Sequence, residues 1–115
     1  MESCNLRIDG WVGVIIFACS TIIMPPLAEE LFFRKNIIYD SSKTIFIITS
    51  IMSIFLYSVE HSFTWLGILE TVFIAIPFTL SYIKTKDIYI VITAHFIINL
   101  IGNLPSVIIS IVNLL

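Results

Sequence analysis

Pro25-Pro26-Leu27-Ala28-Glu29-Glu30-Leu31-Phe32-Phe33-Arg34 sets two adjacent carboxylates and a guanidinium between long runs of Ile, Leu, Val and Phe. Charge inside such runs is expensive and marks function by default. The runs themselves decide the fold class. The chain has 115 residues, 58% of them hydrophobic and 12% charged, against about 25% charged in soluble domains. Mean hydropathy is +1.05. The expectation is an all-α, polytopic transmembrane helix bundle of about four spans, with a first helix broken at its prolines.

Outward from that stretch the chain divides into polar and apolar blocks. Residues 1–10 read as a polar N-terminal tail, and residues 11–115 as a transmembrane core. The run Trp11–Met24 is short for a span, which needs about 20 residues. Pro25 and Pro26 should break or kink it, and a second helix should start there and run from about Pro26 to Tyr39. Asp40-Ser41-Ser42-Lys43 reads as a turn with Ser42 as N-cap. Thr44–His61 is the next span, then Trp65–Ile83, with Trp65 and Tyr82 at its ends as interfacial anchors. A last span runs from Ile88 to about Leu104, where Pro105 should stop it. Lys35, Lys43, Lys84 and Lys86 fall in alternate connections, which the positive-inside rule assigns to the cytoplasm. The net charge of −2 says nothing of partners, and the absence of a basic patch argues against nucleic acid. Cys4 and Cys19 lack metal or redox spacing and read as free thiols.

Helical spacing divides labour among the charged groups. Glu30 and Arg34 are four apart and share a face, so they can pair. Glu29 points about 100° away and keeps a free carboxylate, a candidate general base. Two more polar positions interrupt the apolar runs: His61, ending the second span, and His95 with Asn99, four apart on one face of the last. Measured from the lysine-bearing loops, Glu29 lies about 16 Å deep, His95 about 12 Å, Asn99 about 18 Å and His61 about 27 Å. An acid pair, both histidines and an asparagine are thus expected to converge within the bilayer. Glu60 reads as interfacial. Glu70 is left without a role.

Glu29-Glu30-x-x-x-Arg34, then Tyr57-x-x-x-His61, then His95-x-x-x-Asn99 resemble the three motifs of the CPBP (Abi, or CAAX protease-like) intramembrane proteases, which include the type II CAAX prenyl endopeptidases. The resemblance covers about Pro25 to Asn103. It implies catalytic Glu29 and His61 acting on a water, oxyanion donors His95 and Asn99, and supporting Glu30 and Arg34. Tyr57 stands where the family usually has Phe, and Lys35 where Gly is common. Family members usually carry further spans before the first motif, whereas here about 24 residues precede Pro25; a truncated core is one expectation.

The function expected from this resemblance is an intramembrane endopeptidase cleaving a membrane-associated, lipid-modified or unmodified peptide, in CAAX-type processing, bacteriocin maturation or self-immunity. A proteolytically silent immunity or scaffold protein is the second reading. The third is a zinc protease using Glu29, His61 and His95 as ligands; the first reading needs no cofactor. Asn is a poor zinc ligand, and His-Glu-x-x-His spacing is absent. Abundant Ile and scarce Ala hint at an AT-rich bacterial genome and no more; the expected location is a bacterial cytoplasmic membrane.

Overall fold

The computed structural model describes residues 10–115. The tail assigned to residues 1–10, apart from Gly10, and Cys4 lie outside the described residues. Those described form four long helices and no strand: α1 (Trp11–Asn36), α2 (Lys43–His61), α3 (Trp65–Thr85) and α4 (Ile88–Leu114). Each is long and apolar enough to cross a bilayer. Caps fix their starts: Ser42 Oγ accepts from Ile45 N–H, Thr64 Oγ1 from Gly67 N–H and Asp87 Oδ1 from Tyr89 N–H. Cys19 is free.

The prolines act differently from expectation. Pro25 and Pro26 do not end a helix; α1 runs through them. The disturbance appears one turn earlier, where Cys19–Ile23 winds as π-helix before α-helix resumes at Met24. Proline lacks an N–H and collides with the carbonyl four residues back. Those carbonyls belong to Thr21 and Ile22, inside the widened turn. A second π-helical stretch, Leu31–Asn36, ends the helix. Pro105 likewise fails to stop α4, which continues to Leu114. Proline is tolerated in membrane helices where local adjustment satisfies the backbone it disturbs.

Polarity is inverted relative to a soluble protein. Large apolar side chains such as Ile15, Ile51, Phe73 and Ile101 face outward, while Glu30, Arg34, Ser53, Ser58, Thr79 and His95 are buried. The apolar core is small, with Phe33, Tyr57 and Ala75 at its centre and Ile37 and Ile54 against it. Lipid satisfies the outer face, so packing and hydrogen bonds between helices must hold the inner one. One such bond joins α1 to α2: Ser53 Oγ donates to the Phe33 carbonyl.

The connection after α1 corrects the depth estimate for Glu29 relative to His61. Tyr39 N–H donates to Thr49 Oγ1 at 3.1 Å. Thr49 lies six residues into α2, about 9 Å from its start. Residues 37–42 therefore run beside the first turns of α2, and α1 ends well inside the level at which α2 begins. Measuring both helices from a common loop level placed Glu29 too shallow, and with it the gap to His61 too large. At this same end of the bundle Lys86 Nζ meets Asp40 Oδ2 at 3.1 Å, so the two lysine-bearing connections lie together.

Candidate active site

Glu29 and Glu30 lie at the end of the α-helical segment Met24–Glu30, where their side chains diverge. The Glu30 side chain is 0% exposed and turns into the bundle. Its Oε2 lies 3.3 Å from Arg34 Nε, itself 0% exposed. Its Oε1 accepts from His95 Nδ1–H at 2.6 Å. Arg34 spans to α3, donating from Nη2 to the Ala75 carbonyl at 3.5 Å. The guanidinium also lies over the Tyr57 ring, 4.3 Å from its centroid. The expected i, i+4 pair is present and extends into a network joining all four helices.

Glu29 is the other half of the division. Its side chain is 18% exposed, and its Oε2 takes no hydrogen bond from the protein. Two imidazoles face that oxygen: His61 Nε2 at 3.4 Å and His95 Nε2 at 3.7 Å. Each ring is held from behind. His61 Nδ1–H donates to the Tyr57 carbonyl at 2.8 Å, one turn back on α2. His95 is held by Glu30 and stacks on Phe78, with centroids 5.2 Å apart and planes at 22°.

These groups open into a cleft of ≈ 440 Å³ whose walls include Glu29, Tyr57, His61, Thr71, His95 and Asn99. Ser20 and Thr21 from the π turn also line it, and their hydroxyls donate to the Phe17 carbonyl at 3.1 and 2.7 Å. Asn99 sits one turn beyond His95 on the cleft side, partly buried. Asn103 Nδ2 donates to the Asn99 backbone carbonyl at 2.9 Å. All six residues singled out from the sequence therefore meet: Glu29, His61, His95 and Asn99 around the cleft, Glu30 and Arg34 behind it. Glu60 and Glu70 are exposed and stand apart from the network.

A second, apolar groove of ≈ 600 Å³ runs between α1 and α2, lined by Ala28, Phe32, Phe33, Leu56, Val59 and Glu60, and Glu29 is part of its wall too. Glu29 thus separates a polar cleft from an apolar groove.

Sequence reasoning missed how central Tyr57 is. Its carbonyl holds His61, and its ring lies under Arg34 and 4.1 Å, centroid to centroid, from the His61 ring. The i, i+4 spacing of Tyr57 and His61 was the signal for it. Phe78 and the Ala75 carbonyl carried no signal, because Phe and Ala look alike on lipid-facing and inward-facing positions.

A protein-family model described as type II CAAX prenyl endopeptidase Rce1-like matches residues 11–101. Neither a curated protein nor a solved structure matches the chain.

Proposed function

The chain belongs to the type II CAAX prenyl endopeptidase Rce1-like family, and from that premise we propose that it is an intramembrane endopeptidase using Glu29 as its general base. The observation that carries this reading is the Glu29 carboxylate oxygen, unpaired by the protein and faced by two imidazoles at the edge of a cleft. A water held by Glu29 and His61 would lose a proton to Glu29. The hydroxide adds to the scissile carbonyl carbon and the carbonyl oxygen becomes an oxyanion. His95 and Asn99 donate to that oxyanion. Collapse breaks the C–N bond, and the proton taken from water passes to the leaving amine. Glu30 and Arg34 hold the ring of His95 and the end of α1 in place.

The substrate class follows from position. The site lies among spanning helices, so it suits a peptide bond presented at the bilayer, and the apolar groove beside Glu29 suits an apolar side chain or lipid chain next to that bond. By its charge the lysine-bearing end of the bundle would face the cytoplasm. Peptide maturation and bacteriocin self-immunity are both processes such an enzyme would serve.

A zinc reading has one observation in its favour. Both histidines turn Nε2 toward Glu29 while donating Nδ1–H to a carbonyl or a carboxylate, as metal-ligating histidines do. Against it, the described residues contain no group of three or more His, Cys, Asp or Glu side chains placed to hold a metal ion. The test is purified protein in detergent with a fluorogenic Cys-aliphatic-aliphatic-X peptide, prenylated and unprenylated, with and without a strong chelator. Cleavage that survives the chelator and disappears in Glu29→Gln supports the glutamate mechanism. Loss in chelator with recovery on added zinc replaces it with the metal one. No cleavage of either peptide by well-folded protein favours the silent immunity or scaffold reading.

A further inference from the structure

We propose that Glu30 is a positioning residue that fixes the tautomer of His95, so that His95 serves the cleft through Nε2 and donates there only as an imidazolium. The argument begins with what each partner atom can do. A carboxylate oxygen only accepts. Glu30 Oε1 lies 2.6 Å from His95 Nδ1, and the other oxygen of the same carboxylate faces Arg34 Nε at 3.3 Å. The guanidinium is fully buried, and the Glu30 carboxylate is the counter-ion placed against it. His95 Nδ1 must then carry the proton in the short bond. In a neutral ring with Nδ1–H, the other nitrogen is a bare acceptor.

That nitrogen is the one in the cleft. His95 Nε2 lies 3.7 Å from Glu29 Oε2. A neutral His95 would offer an oxyanion nothing but a lone pair. A second proton on Nε2 turns it into a charge-assisted donor, with Glu30 behind it as the balancing charge. The groups facing the ring are consistent with this. From α1 come Glu29 and Glu30, from α2 the Tyr57 ring at 6.3 Å, and from α3 Phe78 stacked on its face. The two ionisable partners in direct contact are both acids. His61 obeys the same rule by a different device, since a carbonyl also only accepts: its Nδ1–H is committed to Tyr57, and its Nε2 faces Glu29. The arrangement divides the site into Asn99, a donor at all times, and His95, a donor when charged. The tautomer stands on geometry alone; its use in oxyanion binding rests on the protease reading above.

The chain contains only two histidines, so the imidazole nitrogens are directly observable. Uniform ¹⁵N-histidine labelling, with an affinity tag free of histidine, gives two ring systems in a long-range ¹H–¹⁵N correlation spectrum, and His61→Gln assigns them. The expected result is a protonated Nδ1 on His95, with Nε2 either bare or protonated. The Glu30→Gln/Arg34→Met pair removes the carboxylate without stranding the guanidinium, and should shift the His95 Nδ1 proton strongly upfield and admit the Nε2–H form. Bare Nδ1 with protonated Nε2 in the unmodified protein overturns the inference, as does a His95 spectrum unchanged in the double variant. On peptide cleavage the double variant should lower kcat at least tenfold while changing KM less than threefold. A right tautomer with no cleavage by the parent protein would instead sink the protease reading and leave Glu30 its positioning role.

Discussion

Arg34→Ala should cripple folding, whereas Glu29→Gln should not. Arg34 and Glu30 are both 0% exposed at the side chain, and their closest approach is 3.3 Å. Removing one member of a buried pair strands the other charge, at a cost of about 3–5 kcal/mol. The stack on Tyr57, at 4.3 Å, adds about 2 kcal/mol when desolvated. Loss of the Ala75 contact also unties α1 from α3. Together these shift the folding equilibrium by a factor of about 10⁴–10⁵. Glu29 is partly exposed and takes no hydrogen bond from the protein, so its neutral isostere should cost under about 1 kcal/mol. The pair Glu30→Gln/Arg34→Met removes both charges and should be less destabilised than Arg34→Ala alone. The assay is the yield of monodisperse protein in mild detergent and its thermal unfolding midpoint, measured for all three variants. Equal loss in Arg34→Ala and Glu29→Gln would refute the division of labour. A double variant no more stable than Arg34→Ala would refute the buried pair as its cause.

Asn99→Ala should lower kcat by about 10²–10³ with little change in stability, as loss of one oxyanion donor does; single-turnover cleavage by detergent-solubilised protein checks it. Ser53→Ala removes the bond to the Phe33 carbonyl and should cost about 1–3 kcal/mol in thermal unfolding. Thr79→Val should be neutral or stabilising, because its buried hydroxyl lacks a partner and the replacement has the same shape. Gly67→Ala should distort the α2–α3 turn, since the added Cβ would fall 1.9 Å from Ser62 Oγ; proteolytic sensitivity between His61 and Trp65 reads this out.

The sequence disclosed what depended on composition and helical period. Four apolar runs gave four spans, and the i, i+4 spacings gave Glu30–Arg34 and His95–Asn99 their shared faces. It misjudged what depended on the backbone between those marks. Pro25, Pro26 and Pro105 read as helix stops because proline is one in water. In α1 the chain instead widened into a π turn ahead of the prolines, a change no side chain announces. The depth of Glu29 came out too small for a similar reason. Period and rise describe a helix, but the level of its end is set by the connection, and Tyr39 bonding to Thr49 had no signature in the sequence. The link from Glu30 to His95 was also hidden. Spacing pairs residues on one helix, whereas this contact spans 65 positions.

That hidden contact changes what Arg34 and Glu30 are for. As a pair on one helix they would be a local brace, costly to bury and replaceable by apolar side chains. With Glu30 also bonded to His95, and Arg34 bonded to Ala75 and stacked on Tyr57, the pair sits where α1, α2, α3 and α4 meet. Apolar replacement could then restore stability without restoring function, because no apolar side chain can hold the proton on His95 Nδ1. Stability and activity should therefore separate in this protein. Arg34→Met with Glu30→Leu should fold at least as well as Arg34→Ala and cleave no peptide, whereas Glu29→Gln should fold normally and also cleave none. Adding peptide to each and measuring binding distinguishes them: Glu29→Gln should retain it nearly unchanged, since only the base is lost. Cleavage by the Arg34→Met/Glu30→Leu protein at the parent rate would show that the network is structural alone.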